Sequence, residues 1–246
     1  MGFSINSLFD AADKFLSAAY LKRNPWVTSE LARSVSGAPN QSKPCESNLE
    51  ELQLTGAVNL REPNDTVLKQ GFKRVCLETE KGHLPCLKIA ANPTKILDLY
   101  RDLMNVLGDD VQVVLESSHR SDDGHTDFYA SADAIALKSA TYDFEDLLLN
   151  DSNTGISVFE TTEIPMNGEV NEEHREVKLS GKKVIFVYSN DLEPFERILR
   201  SYGIKEDENM GFIDEFPDEE LDTHSKRYHF DQFDELKQRL NAESVR

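Results

Sequence analysis

Apolar positions along the chain switch between a period near two and a period near three to four, and the switches mark its elements. The clearest case is the stretch 182–203. Lys183-Val-Ile-Phe-Val-Tyr188 is a β-branched and aromatic run with the composition of a buried strand. Asn190 and Asp191 follow with short polar side chains suited to the free N–H groups that open a helix. Leu192, Phe195, Ile198 and Leu199 then recur at helical spacing, and Gly203 suits the left-handed residue that ends such a helix.

The same reading extends to the rest of the chain. Residues 4–22 form an amphipathic pattern with Ile5, Leu8, Phe9, Ala12, Phe15, Leu16 and Ala19 on one stripe, stopped by Asn24-Pro25. Residues 72–90 read as a β-hairpin turning at Lys81-Gly82. Asn92-Pro93 opens a helix that runs to Gly108, and Val111 to Leu115 is a strand. A polar loop is expected over 116–130, a single helix over 133–150, a strand over 156–160 and a second polar loop over 161–174. Val177 to Leu179, a turn at Ser180-Gly181 and Val184 to Tyr188 make a second hairpin. Gly82 precedes Asn92 by ten residues, as Gly181 precedes Asp191, so each hairpin leads into a helix in the same way.

These elements predict an α+β protein with a mixed or mostly antiparallel sheet built around two hairpin-plus-helix units. Three regions are expected: a helical amino-terminal segment over 1–60, an α+β core over 61–205, and an acidic strap with a carboxy-terminal helix over 206–246. In the strap, Met210, Phe212, Ile213 and Phe216 interrupt a run of carboxylates, which predicts a segment docked on the surface. Phe233, Leu236 and Leu240 give the last helix, at about 231–242, a narrow apolar stripe.

Within 26–60, Ser29-Glu-Leu-Ala-Arg-Ser-Val-Ser-Gly37 looks like the first helix and turn of a helix-turn-helix. Residues 42–58 resemble the second helix and exit of winged-helix regulators, with Leu49 and Leu52 facing the core and Gly56 as cap. The resemblance implies DNA binding, but the would-be recognition helix carries Glu46, Glu50 and Glu51. Groove readout calls for Arg, Lys, Asn or Gln there, with phosphate-neutralising charge nearby.

Charge narrows the possible partners. The chain of 246 residues carries 45 acidic against 27 basic side chains, a net −18. Such a surface repels nucleic acid and anionic lipid and suits a basic protein partner. No apolar run approaches the roughly 20 residues needed to cross a bilayer, and the start lacks a secretory pattern, so a cytoplasmic location is expected. Cys45, Cys76 and Cys86 have no metal-type spacing, and strand alternation sends Cys76 and Cys86 to opposite sheet faces, so no disulfide is expected between them.

Common signatures for dinucleotide, nucleoside triphosphate, zinc-protease and hydrolase-elbow chemistry are missing. One polar stretch, Glu116 to Asp127, gathers two imidazoles and several carboxylates. His119, Asp123, His125 and Asp127 are its candidate ligands for a divalent metal such as Zn, Mn or Fe. The leading expectation is a non-enzymatic interaction or regulatory module without cofactor that binds a basic protein. The alternatives are a metal-dependent hydrolase using the 119–127 loop and a winged-helix transcriptional regulator.

Overall fold

A computed structural model describes residues 49–62, 67–79, 82–119, 126–166 and 169–244. The helices expected before residue 49 lie outside these residues, as do Asp123 and His125. The chain divides into two compact units, residues 1–47 with 77–84 and residues 48–76 with 85–246. The strap and the last helix fall in the second unit together with most of the sheet.

The protein is α+β with a large antiparallel sheet. Its strands are β1 (Val58–Leu60), β2 (Gly71–Thr79), β3 (Gly82–Ala90), β4 (Asp110–Ser117), β5 (Thr126–Asp133), β6 (Thr154–Met166), β7 (Glu169–Leu179), β8 (Ile185–Tyr188), β9 (Leu221–Thr223) and β10 (Glu243–Ser244). Eight of them form one sheet in the order β10-β5-β4-β6-β7-β8-β3-β2, while β1 and β9 make a two-stranded sheet. The described residues hold five α-helices: α1 (Pro93–Met104), α2 (Ala134–Asp143), α3 (Glu145–Asn150), α4 (Glu193–Ser201) and α5 (Arg227–Arg239).

Strand alternation divides the sheet into two unlike faces. Val113 and Leu115 of β4, Ile156 and Val158 of β6, Val177 and Leu179 of β7, and Leu87 and Ile89 of β3 join the main core. That core also takes Leu99, Tyr100 and Leu103 of α1, Phe195 and Leu199 of α4, and Phe233 and Leu236 of α5. The alternate positions, Glu116, Ser157, Glu176, Lys178 and Lys88, carry polar or charged groups on the other face. Cys86 shares that second face with Lys88, whereas Cys76 has the parity of Phe72, a main-core residue; both thiols are free.

Several local expectations give way to tertiary pairing. Residues 49–55 are not helical: Leu52 N–H donates to Leu68 O and Gln70 N–H to Glu50 O, so this stretch runs beside 68–70. The loop expected at 161–174 is instead the long β6–β7 hairpin, with Thr161 opposite His174 and Met166 opposite Glu169. An antiparallel partner supplies every ladder hydrogen bond, and this holds a polar strand that composition alone reads as loop. The helix expected over 133–150 is two helices broken at Phe144, whose φ of −113° and ψ of 30° leave the helical basin. Beside the break, the buried Arg101 of α1 donates to Thr141 O at 2.8 Å and Glu145 Oε1 at 2.6 Å, and lies 3.6 Å from the Tyr142 ring centre. Gly203, at φ 72°, ends α4 in the left-handed conformation that its spacing predicts.

Candidate functional site

Of the candidate ligands, His119 and Asp127 are among the described residues, and these two do not come together. His119 stands two residues beyond β4 with its ring packed 5.4 Å from Phe233 of α5, on the helix-covered side. Asp127 lies on β5 opposite Glu116, so its side chain shares the other face of the sheet. Among the described residues no group of three or more His, Cys, Asp or Glu is arranged to hold a metal ion.

His119 instead joins a buried polar cluster centred on Asp151. Asp151 follows α3, and its backbone N–H closes that helix onto Leu147 O. Its Oδ2 lies 3.0 Å from His119 Nε2, and its Oδ1 lies 3.6 Å from His229 Nδ1. Ser117 Oγ sits 2.9 Å from His119 Nδ1, and Thr154 Oγ1 donates to Asp151. Burial pushes the Asp151 carboxyl up, but hydrogen bonds from His119, Ser225 and Thr154 outweigh it and hold the group at about 2.

Lys183 completes the cluster. It occupies the left-handed position (φ 61°) of the β7–β8 turn, and its Nζ donates to Thr154 O at 3.1 Å. Burial strips the ammonium of water and pulls this lysine down to about 7, with only the attraction of Asp151 opposing the fall. A buried amine, a low carboxylate and two imidazoles are components of acid–base chemistry. Here they are closed off from solvent: the side chains of His119, Asp151 and His229 are 4%, 0% and 0% exposed.

The opposite sheet face carries a second network. Glu116 on β4 reaches Lys178 on β7 across the intervening β6. Gly155 makes the reach possible, because a Cβ there would sit 2.8 Å from Glu116 Oε2. Glu176 accepts from Ser157 Oγ and lies 3.3 Å from His174 Nε2. Burial lifts Asp127 from 3.8 to about 6, and Lys178 offsets only part of the rise. A carboxyl raised on folding weakens the fold as pH climbs from 3.8 to 6, and the full penalty persists above 6. Asp127→Asn is therefore expected to raise stability by about 1–2 kcal/mol above pH 6 and to leave it little changed below pH 3.8. Urea unfolding of both forms across that range checks it.

The acidic segment 206–222 docks by its apolar residues. Met210, Phe212, Ile213 and Leu221 are buried in a second cluster with Val58, Leu68, Ala90 and Val184. Lys88 clamps the segment, with Nζ 2.9 Å from Asp214 Oδ1, 2.8 Å from Glu215 Oε1 and 4.5 Å from the Phe212 ring centre. Asp218 pairs with Lys182 at 2.7 Å. Glu208, Glu219 and Glu220 are exposed, and among the described residues they form no ion pair.

Sequence patterns point to His119 and to the strap, but not to Asp151, His229 or Lys183 as one cluster. The sequence signs of these three are ordinary: an Asp after a helix, a His in an amphipathic helix, a Lys in a turn. No family model, curated protein or solved structure matches the chain.

Proposed function

We propose that the chain is a non-enzymatic interaction and regulatory module whose 206–222 strap binds the basic face of a protein partner. The observation that carries this reading is the division of labour within the strap. Met210, Phe212, Ile213 and Leu221 are buried as anchors, while Glu208, Glu219 and Glu220 stand in solvent. Ordered anchors reduce the entropy lost when the carboxylates meet their partner. The surplus of negative charge over the whole chain accelerates encounter with a basic surface. In the same reading the sheet is built around two hairpin-plus-helix units, supported by the antiparallel pairing of β3 with β8.

The test is charge reversal. The triple variant Glu208→Lys, Glu219→Lys, Glu220→Lys is expected to weaken binding to basic proteins captured from cell extract by about tenfold or more. Its thermal midpoint should stay near wild type, because these side chains are exposed. Wild-type binding should also fall as salt is raised. Capture that is indifferent both to the triple reversal and to salt would reject the reading.

A further inference from the structure

We propose that His229 is a proton-operated switch at the first turn of α5. Its ring is fully buried, and its Nδ1 stands between two partners that require opposite protonation states. The backbone N–H of Lys226 donates to Nδ1 at 3.2 Å, which needs a lone pair there. Oδ1 of Asp151 lies 3.6 Å from the same nitrogen, and a carboxylate can engage it only through an N–H. Because Nδ1 accepts from Lys226, the proton of the neutral ring belongs on Nε2, which lies 3.4 Å from Asp146 Oδ2.

Two states follow. The neutral ring caps α5 through Lys226 N–H and reaches Asp146 through Nε2–H. The protonated ring donates from both nitrogens, to Asp146 and Asp151, and releases the Lys226 amide. One helix-capping bond is exchanged for a charge-assisted contact. The groups around the ring are set for this exchange. From α3 and its exit come Asp146 and Asp151, and from the ring's own segment come Lys226 and the Tyr228 ring at 4.5 Å. Behind Asp151 stand His119 and Lys183. Asp151, held at about 2, stays ionised throughout the range of about pH 5 to 8 in which imidazoles change charge.

The joint affected links the strap to α5. Ser152 N–H donates to His224 O, and His224 N–H donates to Ala57 O, so the chain is pinned just before Lys226. Releasing the Lys226 cap loosens Ser225 and Lys226, the two residues between that pin and the helix. The inference goes beyond the partner reading and stands whether or not the strap binds anything.

NMR of the full chain tests it, with long-range proton–nitrogen correlations reporting each ring nitrogen of His229. At high pH the ring is expected as the Nε2–H tautomer. On acidification Nδ1 should gain a proton while the Lys226 amide signal moves with the same midpoint. After correction for intrinsic exchange, that amide should lose about fivefold in protection, the size of one net hydrogen bond. His229→Gln puts an acceptor amide at the third helical position, so the Lys226 cap should survive and its pH response vanish. A neutral ring protonated on Nδ1, or a Lys226 amide unmoved while His229 titrates, would overturn the proposal. Both readings come from the wild-type chain and do not depend on the variant folding.

Discussion

Lys183→Met is expected to stabilise the protein by about 2–4 kcal/mol at pH 7. Methionine keeps an unbranched chain of similar length in a site where the lysine is only 5% exposed. It removes an amine that burial pulls from 10.5 down to about 7. A shift of that size corresponds to roughly 4–5 kcal/mol, set against about 1 kcal/mol for the lost bond to Thr154 O. The sign follows from proton counting. Between pH 7 and 10.5 the unfolded chain holds a proton on this amine that the folded chain lacks, so wild-type stability rises with pH across that window. The gain from methionine is thus largest at and below pH 7 and shrinks toward 10.5. Urea unfolding of both forms at several pH values reads this directly. A variant less stable than wild type at every pH would mean that the ammonium is needed as a charged partner of Asp151.

Asp151→Ala should act in the opposite direction, costing about 3–5 kcal/mol. Its carboxylate takes bonds from His119, Ser225 and Thr154 in a site with no exposure. Truncation leaves these donors buried without their acceptor, and an unmade buried hydrogen bond costs more than a made one contributes. Part of the loss is visible through pH. A carboxyl lowered from 3.8 to about 2 contributes stability that is fully present above 3.8 and disappears as pH falls to 2. In the alanine variant this acid-dependent part, about 2 kcal/mol, is absent at every pH. Asp151→Asn retains one acceptor oxygen and should fall between the two forms. Thermal and urea unfolding distinguish them, and an alanine variant within about 0.5 kcal/mol of wild type would rule out the hub role.

The two variants also interact. Asp151 is the one charge that holds Lys183 upward, so removing it deepens the cost of the buried amine. The double variant Lys183→Met, Asp151→Ala should therefore recover more stability than the sum of the single effects, as neighbouring charges in one network couple.

Much of the fold is legible in the residues themselves. The strands β2, β3 and β4, the pairing of β7 with β8, and the helices α1 and α4 all follow from apolar period, turn residues and caps, because each is decided within a dozen neighbours. Asp191 accepts from Glu193 N–H at 3.2 Å, as its place before the helix predicts. The strap docks by Met210, Phe212 and Ile213, with Phe216 packed beside them, the four apolar residues that break its acidic run.

The stretches that depart from their local pattern share one cause. β7 over 169–174 is polar, and β5 begins inside a stretch rich in Asp, Ser and His. Neither has a strand's composition; each is held by a ladder to a neighbour. The break at Phe144 is occupied by Arg101, which comes from more than forty residues earlier.

By itself, then, the sequence determined the class of the protein, most of its elements, its acidic surface and the apolar anchors of the strap, because these depend on spacing along the chain. Only the tertiary structure decided which polar residues are buried together. His119, Asp151, Lys183 and His229 come from the end of β4, the exit of α3, a β-turn and α5. Their chemistry is set by desolvation and by partners distant in sequence, and no local pattern encodes either.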